Sequence, residues 1–210
     1  DYPLPSGHVV CHPTNPLTYG SALRALIVAM REWVECDTAP PDNAFPSHAN
    51  ESLVTLGQFQ EQFSKVTGLL PPAVMNALHP HTDDNTARQD EGPSYPVFIP
   101  AIDRVGNSVG GVRHPLVSVP LGVHAGWSIR AAGFAPGDLY SVYGSYIAFD
   151  GIGALPVSGP FSKLYSSQEE WGKEVIKAAE VLRRQRLLLA EDLVALKSSL
   201  YDTEDVFHII

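Results

Sequence analysis

Val119-Pro120-Leu121-Gly122-Val123-His124-Ala125-Gly126-Trp127-Ser128-Ile129-Arg130 is the stretch on which the fold turns. It opens on a short apolar run, 117–121, bounded by prolines, and continues through glycines at 122 and 126. Such punctuation predicts short strands separated by turns rather than one long element. The same texture extends outward over 96–150. Val97–Ile99 and Ile102 flank Pro100, and Asp103-Arg104-Val105-Gly106-Asn107 is a turn signal. Leu139–Phe149 alternates around Gly144.

Towards the N-terminus the pattern changes. Pro3, Pro5, Pro13 and Pro16 predict a loop over 1–20. A helix is expected over 21–36, with Ser21 as N-cap. Leu23, Leu26, Ile27, Met30, Trp33 and Val34 make its apolar stripe. Ala39-Pro40-Pro41 ends it. A short strand at 52–56 and a strand or helical turn at 58–66 follow, then a loop over 71–95. Towards the C-terminus, Ser167 and Glu170 form a capping-box pair that opens a helix over 167–188. Its buried stripe is Trp171, Val175, Ala178, Ala179 and Leu182. A second helix is expected from about 190 to 200.

Composition sets outer bounds. The chain has 210 residues, 44% hydrophobic, with a net charge of −9 from 14 basic and 23 acidic side chains. Such a chain can build a core, and its acidity argues against nucleic acid as a partner. No apolar run is long enough to span a bilayer as a helix. Gly and Pro together make 35 of the 210 residues, so much of the backbone is irregular. Cys11 and Cys36 permit one disulfide in an exported protein or two free thiols in a cytosolic one. An extracellular or periplasmic setting is taken over a cytoplasmic one. The chain begins at Asp1 without Met, which suggests part of something longer.

Several residues could carry chemistry. His79 and His81, with Asp83 and Asp84, have metal-capable side chains in a loop-like setting, and a solvated loop is the preferred reading. His8 and His12 flank Cys11, a pairing that could place a base beside a nucleophile, and a buried or disulfide-linked Cys beside surface histidines is the preferred reading. His114 and His124 flank the short strands and are read as structural. Asp150 ends a strand-like run and is read as a turn residue. No G-x-S-x-G elbow, GK[ST] phosphate loop, H-E-x-x-H or zinc-type cysteine spacing occurs in the sequence. No cofactor or metal is expected.

Taken in order, several blocks resemble one family. They are Asn15-Pro16-Leu17, Leu23-Arg24-Ala25-Leu26, Glu32-Trp33-Val34, Ala39-Pro40-Pro41 and Phe45-Pro46. Then come Tyr95-Pro96-Val97, Pro100-Ala101-Ile102-Asp103, Gly106-Asn107 and Gly111-Val112-Arg113. The opening stretch, Pro120 to Arg130, is the most specific. Gly144-Ser145-Tyr146-Ile147, Arg186-Leu187-Leu188 and Glu191-Asp192 complete the set. The order is similar to the C-terminal part of an α/β-hydrolase-domain family of carboxylic-ester hydrolases. One departure is Val123-His124-Ala125, where the family pattern leads one to expect a Thr-aromatic-Thr-like segment.

The resemblance implies an α/β fold: the C-terminal portion of an α/β hydrolase plus an irregular α+β extension with short strands and C-terminal helices. Residues 1–40 would be the last loop and helix of the hydrolase domain. Residues 41–160 would be the Gly/Pro-rich extension, and 161–210 the amphipathic helices. It also implies a serine nucleophile and an acid supplied from outside this chain, by the N-terminal hydrolase portion. The substrate would be a small-molecule ester. The catalytic histidine is expected ahead of Asn15-Pro16, at His8 or just before Asp1. A non-catalytic interaction protein built from such an extension is the alternative.

Overall fold

The computed structural model describes residues 2–4, 9–75, 78–79, 94–133, 135–140, 143–149 and 164–201. At its centre, β5 (Gly122–Ala125) pairs antiparallel with β8 (Ser145–Ala148), with Val123 opposite Ile147 and His124 opposite Tyr146. Gly122 is required here by packing. A Cβ on it would lie 2.5 Å from the Tyr146 ring and 2.7 Å from the Ile147 carbonyl. A second ribbon joins β6 (Ser128–Ile129) to β7 (Leu139–Tyr140).

The N-terminal segment ties the two ribbons together. Strand β1 (Tyr2–Pro3) pairs with β2 (Val9–Val10). The chain then runs past both ribbons. Cys11 N donates to Ile129 O at 2.9 Å, Tyr146 N to Pro13 O at 2.9 Å, and Asn15 N to Gly144 O at 2.9 Å. Among the described residues every strand pairing is antiparallel.

Beneath the central ribbon, β3 (Leu53–Thr55) pairs with β4 (Phe98–Pro100) and runs straight into helix α2 (Leu56–Thr67). The strand-or-turn ambiguity at 58–66 resolves as helix. Thr55 and Gln58 form a reciprocal capping box, and Gly68 closes the helix in the left-handed conformation at φ 71°. Phe59 and Phe63, one turn apart, enter the main core with Val123, Ile147, Phe149, Ile102 and Val105.

On the other side lie the C-terminal helices α4 (Gln168–Arg184) and α5 (Ala190–Tyr201). Trp171 and Val175 of α4 pack with Leu200, Leu116 and Leu121, and Trp171 Nε1 donates to Val119 O at 3.0 Å. Ser167 caps α4 through Glu170 N, but the Glu170 carboxylate turns to Ser166 instead, so only half of the expected box forms. The apolar run at 117–121 is not a strand. Pro115 at the first helical position and His114 as the cap fold Pro115–Ser118 into a single helical turn, α3.

Helix α1 spans Gly20–Cys36. Tyr19, not Ser21, occupies its cap position, and no side chain caps it. Its packed face is built of small residues, with Ala25 1% and Ala29 2% exposed. The large stripe faces outward: Ile27 is 61%, Trp33 53% and Val34 78% exposed. Arg24 pairs with Asp192 of α5. Arg186, held at φ 61° after α4, forks onto Glu32 and the Ala39 carbonyl at 2.6 Å each. Both cysteines are free thiols.

Candidate functional site

The turn at 103–107 builds the floor of the site. Asp103 Oδ1 accepts from Val105 N and Asn107 N at 3.0 Å each, and its Oδ2 pairs with Arg113 at 2.6 Å. The turn thereby delivers the Asn107 side chain, fully buried, to the open edge of β5. There Nδ2 donates to Gly122 O at 3.0 Å and Oδ1 accepts from His124 N at 2.7 Å. One amide completes hydrogen bonding where a third strand would otherwise be needed.

His124 is fixed above that floor. Its Nδ1 lies 3.1 Å from Asn15 Oδ1 and its ring is 4.9 Å from Tyr146. The Asn15 amide is itself oriented by the backbone. Leu17 N donates to Oδ1 at 3.1 Å, and Nδ2 donates to Ala125 O at 3.4 Å. Oδ1 is therefore the acceptor, so Nδ1 of His124 carries the proton and Nε2 holds the lone pair. Burial pushes the His124 pKa down to about 4, and the nearby His114 charge adds to the effect. The ring is neutral at ordinary pH. Nε2 has no hydrogen-bond partner among the described residues. The His124 residue also lines a narrow crevice with Pro16, Leu17, Leu116, Leu121, Tyr146 and Trp171, with room for about one water-sized group.

The other candidates are dispersed. His8, His81, Asp83, Asp84 and Asp150 lie outside the described residues. His114 is structural, accepting from Leu116 N at 3.2 Å, and burial lowers its pKa. The Cys11 thiol reaches the Arg130 carbonyl at 3.7 Å. Among the described residues no group of three or more His, Cys, Asp or Glu side chains could hold a metal. No helix there is long and apolar enough to cross a membrane. The sequence reading passed over Asn15 and Asn107 as site residues. Both stand inside the motif blocks Asn15-Pro16-Leu17 and Gly106-Asn107, which was the available signal.

A family model described as an alpha/beta hydrolase domain matches residues 3–198. The chain belongs to this alpha/beta hydrolase domain family. No curated protein and no solved structure matches the chain. The family match runs through the N-terminal segment, the central ribbon and both C-terminal helices, so the Asn15–His124 site sits inside the alpha/beta hydrolase match. Helices with short antiparallel strands give the chain a mixed α/β character.

Proposed function

We propose that this chain is the C-terminal portion of a serine-type α/β hydrolase acting on small carboxylic esters. The nucleophilic serine and the acid come from the N-terminal hydrolase portion. The observation that carries this reading is the outward stripe of α1. Six large apolar side chains, Leu23, Leu26, Ile27, Met30, Trp33 and Val34, stand exposed on one helix. A contiguous apolar face of that kind marks an interface, and a helix with one apolar stripe is what packs on the sheet of an α/β protein. Burying half of each side chain is worth on the order of 5–10 kcal/mol. The absence of a nucleophile elbow from the sequence agrees with it.

The chemistry follows from the triad. Serine Oγ attacks the ester carbonyl while a histidine takes its proton, and donors stabilise the oxyanion. The histidine then protonates the departing alcohol, and water repeats the sequence on the acyl-enzyme. His8, ahead of Asn15-Pro16, is the residue of this chain we assign to that role.

A fluorophosphonate probe tests the assignment of the nucleophile. It is expected to label the whole hydrolase and to leave residues 1–210 alone unlabelled. Stoichiometric labelling of the isolated chain would place the serine here and overturn the reading. In the whole enzyme, His8→Ala should lower ester turnover at least about a thousandfold with circular dichroism unchanged. Near-normal turnover would move the base upstream. The same α1 face also suits a non-catalytic interaction protein. An intact mass close to 22.7 kDa with no probe labelling would favour that alternative.

A further inference from the structure

We propose that Arg186 is a latch: together with Arg24 it forms an ionic clasp that seats α1 on the α4–α5 corner, and the clasp opens at high ionic strength. Its consequence for the docking of α1 on the hydrolase portion rests on the hydrolase reading above. The clasp itself stands on residues 1–210 alone.

The first observation is how little else holds α1. Among the described residues, no α1 side chain belongs to any apolar cluster of the core. Its buried face is two alanine methyls, Ala25 and Ala29, which remove little apolar surface from water. By contrast, Ala179, Leu188 and Leu193 join α4 to α5, with Leu182 and Leu196 packed against them. Two ionic contacts bridge α1 to that pair, one towards each end. Arg24 reaches Asp192 in the first turn of α5. Glu32 meets Arg186 at 2.6 Å.

The second observation is where Arg186 stands. Leu187 N donates to Leu182 O at 2.9 Å, and Arg186 N to Arg183 O at 3.0 Å. This pair of bonds closes a helix through a residue in the left-handed conformation, where glycine is favoured. Arg186 adopts that conformation at φ 61°. The strain is offset by what its side chain reaches. The guanidinium forks onto Glu32 and the Ala39 carbonyl, so one residue holds both the end of α1 and the chain leaving it.

The clasp is accessible to salt. The side chains of Arg24, Glu32 and Arg186 are each at least 35% exposed, so added ions screen them. With the clasp open, α1 keeps only its alanine contact, and its apolar stripe no longer points in a fixed direction. In the whole hydrolase the clasp therefore sets the angle at which the stripe meets its partner.

Hydrogen exchange tests this, read by mass spectrometry on residues 1–210 at about 0.05 M and about 1 M NaCl. Exchange within α1 should rise at least about fivefold at high salt, the scale of two partly exposed ion pairs. Strands β5 and β8 should exchange as before. Arg186→Gly relieves the backbone strain and removes the fork. At low salt it should raise α1 exchange at least about threefold, with the urea midpoint unchanged or higher. Glu32→Gln leaves the α4–α5 corner untouched and should raise α1 exchange alike. Exchange of α1 that ignores salt, or ignores both substitutions, overturns the clasp. A rise shared equally by β5 and β8 also overturns it, because the whole fold has then loosened. In the whole hydrolase, wild-type α1 should exchange at least about tenfold more slowly than in residues 1–210. Equal rates would refute the docking of α1 on the hydrolase portion and leave the clasp, measured on residues 1–210, standing.

Discussion

Asn107 and His124 make opposite uses of burial. Asn107 is buried with both ends of its amide paired, to Gly122 O and His124 N. Asn107→Ala leaves two backbone groups of β5 without partners. It should cost about 2–4 kcal/mol in urea unfolding, and a loss under about 1 kcal/mol would refute the strand-substitute role. His124 is partly buried, and its folded pKa of about 4 lies below the unfolded value of 6.5. Between those values the unfolded chain binds a proton that the folded chain refuses. Stability therefore falls as pH drops from about 6.5 towards 4, by up to about 3 kcal/mol. His124→Phe should flatten this acid limb when unfolding midpoints are compared at pH 7 and pH 5. At this scale the sequence was only partly legible. The turn at 103–107 reads locally, because Asp103 and Asn107 bond within five residues. The partner of His124 does not, because Asn15 lies 109 positions away and no periodicity links them.

Among elements, legibility followed the reach of the interactions. The capping pairs of α2 and α4 are short-range; α4 and α5 form close to where the sequence places them, while 58–66 reads equally as strand or helical turn until the Thr55–Gln58 pair is seen to cap it. Thr55→Ala removes the hydroxyl that accepts from Gln58 N, while the backbone N of residue 55 still donates to Gln58 Oε1, and should lower stability by about 1 kcal/mol, measured by thermal unfolding. The run at 117–121 was misread because its apolar residues suit a strand as well as a turn of helix. Pro115 and the His114 cap decide the matter, and Trp171 Nε1 then captures Val119 O. Helix α1 was readable as a stripe, but not in which direction the stripe points. Alanines permit close approach to the body, so the small face packs and the large face is left outward.

For the molecule as a whole, that outward face sets the expected behaviour. Ile27→Lys should change the unfolding free energy of residues 1–210 by less than about 0.5 kcal/mol, since Ile27 is 61% exposed. In the whole hydrolase the same change should cost about 2 kcal/mol or more, because it desolvates a charge against the sheet. Equal effects in both would mean that α1 meets nothing there. Family membership was visible in the order of the motif blocks. The position of the nucleophile we propose was not, because the sequence holds no G-x-S-x-G elbow to mark it.

The way residues 9–15 lie against both ribbons bears on how the protein is made. Their partners, from Ile129 to Tyr146, are translated more than a hundred positions later. At ordinary synthesis rates of about 5–20 residues per second, the early segment leaves the ribosome on the order of ten seconds before anything exists to receive it. Through that interval the large side chains of α1 are also bare. The central ribbon can thus close only after its second strand, Ser145–Ala148, has emerged.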